Sequence, residues 1–195
     1  MSKLYFRYGA MNSGKSTHLM QVAHNYEERG MKVLILKPKI DTKGGDTLVS
    51  RLGVNRHVDL LVSKEDDLFE IITEYLKEGK KINCILVDEV QFMKAEQIDQ
   101  LFEIAVKIDI PIICYGLRTD FRTEGFEGSA RLLLLAHSIE EMKTICACGR
   151  KALFNGRKIN GKFVFKGEQI AIDEQNNVEY ESLCGHCYYK YKENL

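Results

Sequence analysis

The chain contains 195 residues, of which 45% are hydrophobic and 29% are charged, the composition of an ordinary soluble globular protein. Its 28 basic and 28 acidic residues give a formal net charge of zero, which disfavours extended binding to nucleic acids or membrane surfaces. No apolar run approaches the ~20 residues of a membrane span, and the N-terminal MSKLYFRYGA lacks the apolar segment of a signal peptide. We therefore expect a cytoplasmic protein.

Strand and helix patterns alternate over residues 1–115. The predicted elements, in chain order, are strand Leu4–Tyr8, helix Ser16–Arg29, strand Lys32–Lys37, a loop over Ile40–His57, helix Glu65–Glu78, strand Ile82–Asp88, helix Lys94–Lys107 and strand Ile110–Tyr115. This βαβ alternation predicts an α/β fold, with helices on both faces of a parallel sheet.

The pattern changes after Leu135. Short strand-like pieces separated by Gly and Asn run from Lys151 to Tyr180, between two pairs of cysteines. We expect a small β-ribbon held together by a metal ion.

The six cysteines fall into two groups. Cys84 and Cys114 lie in apolar, strand-like runs and are expected to be buried hydrophobic side chains. The other four form a Cys-x-Cys and a Cys-x-x-Cys pair, namely Cys146, Cys148, Cys184 and Cys187. In a cytoplasmic protein such pairs favour a structural Zn²⁺ site with four thiolate ligands. His186 is a reserve ligand, and two redox-active dithiols are the alternative interpretation.

A phosphate-binding loop is predicted between the first strand and the first helix. The segment fits G-x-x-x-x-G-K-[ST] and comprises Gly9, Ala10, Met11, Asn12, Ser13, Gly14, Lys15 and Ser16. Its backbone N–H groups and the following helix N-terminus are expected to surround phosphate oxygens. Lys15 is expected to contact the β- and γ-phosphates, and Ser16 to offer its hydroxyl to Mg²⁺.

Two acids end the strand Ile82–Asp88, at the edge of the sheet where ligands bind. We expect Asp88 to hold Mg²⁺ and Glu89 to deprotonate or orient a nucleophile that attacks the γ-phosphate. The alternative for this acidic pair is a solvated turn or a helix N-cap. Val90 and Gln91 follow directly and complete the predicted ATP-binding set.

The nucleophile distinguishes two classes of protein. Water would make this chain an ATPase, and we keep open a zinc-ribbon P-loop ATPase that assists nucleic-acid processing. A chain of 195 residues is too short for a two-lobed helicase, and it contains no N-K-x-D motif of a GTPase. A small-molecule kinase, in which a substrate hydroxyl attacks, is therefore favoured.

Four features together resemble the thymidine kinases of the zinc-containing type, which bacteria and animal cytosol share. They are the Gly9–Ser16 loop, the box Asp88–Phe92 (DEVQF), the segment Leu117–Phe121 (LRTDF) and the paired cysteines. The resemblance implies a P-loop (RecA-like) domain over residues 1–140 and a zinc-binding domain over 141–195 that carries a lasso-like lid. It also implies transfer of the ATP γ-phosphate to the 5′-hydroxyl of thymidine or deoxyuridine, a homotetramer, and feedback inhibition by dTTP.

The resemblance further implies a role for each site residue. Glu89 takes the proton of the 5′-hydroxyl, and Tyr180, at the end of a lasso running from about Lys158, contacts the sugar or base. The base pocket is lined by Met11, Phe92, Leu117, Phe121 and Phe126. Where the family commonly has Asp-x-Arg, this chain has Asp41-Thr-Lys43, so either Lys43 or the nearby Arg51 takes the arginine's role. A Gly-Gly pair common in the family is replaced by Asn176 and Asn177.

Overall fold

The computed structural model describes residues 1–39, 47–49, 55–170 and 177–193. The strands are β1 (Leu4–Tyr8), β2 (Val33–Pro38), β3 (Thr47–Val49), β4 (Asn55–His57), β5 (Leu60–Val62), β6 (Cys84–Val87), β7 (Ile112–Gly116), β8 (Ser138–Glu141), β9 (Thr144–Ile145), β10 (Lys151–Ala152), β11 (Phe154–Ile159), β12 (Lys162–Val164) and β13 (Val178–Leu183). The α-helices are α1 (Lys15–Glu27), α2 (Leu68–Lys77), α3 (Ala95–Glu103), α4 (Glu127–Leu135) and α5 (Gly185–Glu193).

A parallel sheet forms the centre of the molecule. Within the described residues its strand order is β5-β2-β6-β7-β1-β8, and every neighbouring pair is parallel. Tyr8, Val87 and Gly116 are the carboxyl ends of β1, β6 and β7, so the loops that follow these strands meet at one edge. That edge is where the predicted phosphate loop and acidic pair lie.

Both faces of the sheet are covered, because successive side chains of its strands point in opposite directions. Ile85 and Val87 of β6 belong to the core cluster that α2, α3 and α4 complete. Cys84 and Leu86, which alternate with them, pack instead with α1. The predicted α/β architecture is therefore confirmed, as is the burial of Cys84 and Cys114.

The helices begin and end where local chemistry favours it. Asp67 caps α2, its side chain accepting a hydrogen bond from the Glu70 N–H at 2.9 Å. Gly30 and Gly79, which follow α1 and α2, have positive φ angles of 71° and 81° that favour glycine. The helix predicted over Lys94–Lys107 is α-helical as α3 and continues as a π-helical turn over Ile104–Ile108.

Several elements differ from the sequence-based expectation. The prediction of a loop over Ile40–His57 was wrong for its described part, because β3 and β4 pair there as antiparallel strands. Helix α4 and strands β5 and β8 lay outside the predicted elements. Strand β8 has the polar, exposed sequence SIEE, and it is recognisable only through its pairing with β1.

The C-terminal region is a small antiparallel unit, here called the ribbon and defined as β9 to β13 with α5. Strand β11 lies between β12 and β13, and β9 pairs with β10. Its core contains three of the four clustered cysteines together with Leu183 and Tyr188. In the part of the chain that the structure describes, no helix has the length and apolarity needed to cross a bilayer.

Candidate active site

The loop Gly9–Ser16 curls between β1 and α1. Asn12 and Gly14 adopt left-handed backbone conformations, with φ angles of 66° and 77°. A side chain on Gly9 would collide with the Met142 carbonyl oxygen and with Ser13. The first glycine of the motif is therefore required by close packing, and the loop has the tight turn that phosphate binding needs.

Lys15 lies inside this loop. Its Nζ donates hydrogen bonds to the carbonyl oxygens of Gly9 (3.1 Å) and Ala10 (2.9 Å) and to the hydroxyl of Ser13 (3.3 Å). Burial lowers the pKa of Lys15, while the charges of Glu89 and Asp88 act to raise it.

Asp88 and Ser16 face each other across the loop. The Ser16 hydroxyl donates to Asp88 Oδ2 at 3.2 Å. Burial, and next the charge of Glu89, raise the pKa of Asp88 to about 6, although the Ser16 hydroxyl and a backbone N–H act in the opposite direction. A hydroxyl and a carboxylate at this distance are the hard oxygen ligands that Mg²⁺ prefers, so these two residues fit the predicted ion.

Glu89 is held by its neighbour Gln91. Glu89 has a left-handed backbone (φ 51°), and Gln91 Nε2 donates to its Oε2 at 2.5 Å. The other end of the Gln91 amide accepts the Leu117 N–H at 3.1 Å. A Cβ on Gly116 would lie 2.6 Å from Gln91 Oε1, so glycine is required there for Gln91 to fit. The side chain of Val90, by contrast, is buried in the main core.

A cleft of about 680 Å³ opens beside Glu89. It is lined by Met11, Glu89, Gln91, Phe92, Leu117, Asp120, Phe121, Phe126, Asn155, Gln169, Ile170 and Tyr180. The rings of Phe92 and Phe126 meet edge to face at 5.4 Å. The described residues predicted to bind substrate thus lie together in one largely apolar cleft. Asp41, Lys43 and Arg51 lie outside the described residues.

Sequence reasoning missed Arg157, which is 3% exposed. Its guanidinium lies 3.7 Å from the ring centroid of Phe121, and its Nε donates to the Tyr180 hydroxyl at 3.0 Å. Its two terminal nitrogens donate to the carbonyl oxygens of Glu168 and Gln169, both at 2.7 Å. This one side chain therefore connects Phe121, Tyr180 and the backbone of residues 168–169.

Asp120 and Asn155 are also cleft residues that the sequence reasoning passed over. Asp120 is paired with Arg122, whose Nε lies 2.9 Å from its Oδ2. Asn155 and Arg157 alternate on β11 (FNGRKI) and so share one face of that strand. Polar side chains at alternate positions within the predicted strand-like pieces were the signal available in the sequence.

The four paired cysteines converge at the base of the ribbon. The Sγ atoms of Cys146, Cys148, Cys184 and Cys187 all lie within 4.8 Å of one another. Cys148 and Cys184 are 3.5 Å apart, close to the edge of about 3.8 Å expected for a tetrahedron with 2.3 Å zinc–sulfur bonds. The Cys187 N–H donates to Cys184 Sγ, and this bond, together with hydrogen bonds from the neighbouring thiols, lowers the pKa of the Cys184 thiol to about 6.

This cluster therefore fits Zn²⁺ in the way the spacing predicted. His186, the reserve ligand, lines a surface hollow with Tyr189 and Lys190. Among the described residues, the four cysteines are the one group of three or more Cys, His, Asp or Glu side chains whose ligand atoms lie close enough together to hold a metal ion.

Comparison with known proteins agrees with this geometry. The model of a family described as thymidine kinase matches residues 2–188. The chain belongs to the thymidine kinase family. The thymidine kinase of Shewanella oneidensis is 48% identical over 94% of this chain and 95% of its own length. The thymidine kinase of Haemophilus influenzae (strain Rd) is 47% identical over 94% of this chain and 94% of its own length. The thymidine kinase of Francisella tularensis (strain SCHU S4) is 44% identical over 94% of this chain and 95% of its own length.

A solved structure of AMPPCP-bound DnaA from Aquifex aeolicus is more distant. It superimposes with a TM-score of 0.41 and 18% identity over 73% of this chain and 40% of its own. The family membership confirms the resemblance drawn from the motifs, including the predicted class of ATP-dependent nucleoside kinase. The cysteine cluster agrees with the zinc-containing type of the thymidine kinase family.

Proposed function

We propose that this protein transfers the γ-phosphate of ATP to the 5′-hydroxyl of thymidine, or of deoxyuridine, and so supplies dTMP for nucleotide salvage. The observation that carries the proposal is the position of Glu89. Glu89 lines the same cleft as Phe121 and Phe126, and so does Met11 of the loop Gly9–Ser16. One cleft therefore brings together the proposed base, the phosphate-binding loop and an apolar, aromatic slot.

The loop Gly9–Ser16 holds the triphosphate of ATP. Its N–H groups, the N-terminus of α1 and the Lys15 ammonium stabilise negative charge on the phosphates. Ser16 and Asp88 would hold Mg²⁺, which supplies electrostatic stabilisation of the phosphoryl group when bound. Two acids and one lysine at this point leave a local negative charge, which favours a divalent cation there.

Glu89 accepts the proton of the attacking 5′-hydroxyl. Gln91 orients the carboxylate by donating to one of its oxygens, so the other oxygen remains available to the substrate. Closure of the lasso over the bound nucleoside would exclude water from this carboxylate, which favours the sugar hydroxyl over water as the phosphate acceptor.

The nucleobase lies in the slot formed by Met11, Phe92, Leu117, Phe121 and Phe126. Aromatic walls suit a flat pyrimidine ring, and Tyr180 contacts the sugar or the base. The segment that Arg157 holds forms part of the lasso that closes over the substrate. Asp41 and either Lys43 or Arg51 complete the substrate site on the strength of the family resemblance.

A structural Zn²⁺ ion held by the four cysteines anchors this lasso. Residues 1–140 then form the P-loop kinase domain and residues 141–195 the zinc-binding lasso domain, a division supported by the end of the parallel sheet at Glu141. The family resemblance supports a homotetramer and feedback inhibition by dTTP. Four unpaired, clustered thiols suit a reducing compartment, which supports a cytoplasmic location.

The test is incubation of the protein with Mg·ATP and thymidine, followed by chromatographic separation of the nucleotides. We expect equal amounts of dTMP and ADP, without any nucleic acid present. The proposal is wrong if neither thymidine nor deoxyuridine is phosphorylated. ATP hydrolysis that depends on added DNA or RNA would instead support a zinc-ribbon ATPase that assists nucleic-acid processing.

A further inference from the structure

Two side chains of the ribbon form hydrogen bonds with the backbone N–H and the backbone carbonyl of Met11, a residue of the phosphate loop. Asn155 Oδ1 accepts the Met11 N–H at 2.7 Å, and the Ser182 hydroxyl donates to the Met11 carbonyl oxygen. Asn155 and Ser182 are directly paired across β11 and β13. We infer that these two side chains form a clasp that positions the phosphate loop relative to the nucleoside slot.

Both members of the clasp are buried, at 3% and 5% exposure, so each hydrogen bond is shielded from water. The Asn155 amide also donates to the Thr119 carbonyl oxygen at 3.0 Å. One side chain therefore joins the phosphate loop to the segment Leu117–Phe121. A further contact, from the Thr144 hydroxyl to the Asn12 carbonyl oxygen at 3.3 Å, holds the next residue of the loop.

Met11 is the residue that the two halves of the site share. It belongs to the phosphate loop, and it also lines the cleft with Phe121 and Tyr180. The ribbon that clasps Met11 also carries Tyr180 and Arg157. A displacement of the ribbon therefore moves the lasso and the phosphate loop together. On the proposed function, the clasp keeps the γ-phosphate and the 5′-hydroxyl at reacting distance.

Asn155 and Ser182 are accordingly positioning residues. Ser182 is the better one to change, because its side chain does not line the cleft. Loss of its hydroxyl releases the Met11 carbonyl without removing a contact to either substrate. Because small misplacements of reacting groups are costly, we expect Ser182→Ala to lower kcat about tenfold or more while the KM for thymidine changes less than threefold.

Two further variants make this test specific. Ser182→Thr keeps the hydroxyl and is expected to restore kcat to within about threefold of the unmodified protein. Glu181→Gln is the matched control on the same strand, since Glu181 pairs with Lys158 in the ribbon and does not contact the phosphate loop. It is expected to keep kcat unchanged. The inference is overturned if Ser182→Ala retains full kcat, or if Glu181→Gln loses as much.

Should Ser182→Ala fail to fold, Ser182→Val replaces it. Valine has the shape of threonine and suits a strand, but it has no hydroxyl to donate to the Met11 carbonyl oxygen. We expect the same loss of kcat, and a kcat equal to that of Ser182→Thr would overturn the inference.

Amide hydrogen exchange tests the clasp without reference to any activity. In Asn155→Ala, the Met11 N–H loses its acceptor and should exchange at least about tenfold faster, while the amides of β6 stay protected. Unchanged exchange at Met11 overturns the clasp. If Met11 responds as expected but thymidine is not phosphorylated by any form of the protein, the proposed function fails and the clasp stands.

Discussion

Gln91 Nε2 donates a hydrogen bond to Glu89 Oε2, with a separation of 2.5 Å. The same amide accepts the Leu117 N–H, so a single buried side chain connects the proposed base to the wall of the nucleoside slot. The backbone of Glu89 is left-handed, a conformation that costs free energy in a residue other than glycine. Gln91 therefore fixes in one orientation the carboxylate of a residue whose backbone is strained.

Replacement of Gln91 by leucine should remove this orientation. We expect kcat for thymidine phosphorylation to fall about 10- to 100-fold. Gln97→Leu is a matched control, because Gln97 is a buried glutamine of α3 that bonds the Ser63 and Asp66 carbonyls away from the cleft. Steady-state kinetics of the two variants check the prediction, and equal kcat values for both would contradict it.

Arg157→Lys should weaken nucleoside binding. One ammonium cannot reach the Tyr180 hydroxyl and two separate carbonyl oxygens in the way a guanidinium does. Each hydrogen bond that the charged guanidinium donates is worth about 1.5–3 kcal/mol. We expect the KM for thymidine to rise at least about tenfold and the Tm to fall. Arg131→Lys is the control, because Arg131 makes a partly exposed ion pair with Asp99. The KM of this variant for thymidine should equal that of the unmodified protein.

Removal of zinc should loosen the ribbon. We expect elemental analysis to find one zinc per chain, and Cys184→Ser to lose it together with several degrees of Tm. Cys84→Ala is the control, since Cys84 is a buried cysteine of the parallel sheet rather than of the cluster. A Cys184→Ser protein that retains full zinc would contradict the assignment of the site.

The stability of the fold should depend on His18 below neutral pH. Burial, and next the charge of Arg7, lower the pKa of His18, while Glu140 acts to raise it. His18 also shares a hydrogen bond with the Tyr115 hydroxyl at 2.9 Å. Below pH 6.5, the usual histidine pKa, the unfolded chain binds a proton at this residue more readily than the folded chain does.

The contribution of His18 to stability is therefore complete above pH 6.5 and declines as the pH falls from 6.5 toward the lowered folded-state pKa. We expect the Tm to drop over this range, and to drop less in His18→Gln, which cannot be protonated. Thermal unfolding at a series of pH values checks the prediction. Parallel pH profiles for the two proteins would show that His18 is not responsible.

The sequence was informative wherever function or burial leaves a local pattern. The loop Gly9–Ser16 and the acidic pair Asp88–Glu89 were predictable because each combines a motif with a strand end. Strands β2 and β6 could be predicted as continuous apolar runs, because both faces of the sheet are covered at these strands. The cysteine pairs were readable because metal ligation fixes both residue type and spacing.

The missed features depend on contacts between distant parts of the chain. Asn155 and Ser182 reach Met11 across 144 and 171 residues, and no local pattern in the sequence indicates such a partner. Helix α4 was missed because Leu133 and Leu134 are partly or largely exposed, which blurs the apolar stripe of a helix.

The central claim is that Glu89 is the base of a thymidine kinase. The most direct measurement compares dTMP formation by the unmodified protein and by Glu89→Gln, at saturating Mg·ATP and thymidine, with the Mg·ATP Kd of each determined separately. We expect the variant to bind Mg·ATP equally well and to form dTMP at least about 100-fold more slowly. Equal rates of dTMP formation by the two proteins, or no dTMP from the unmodified protein, would contradict the claim.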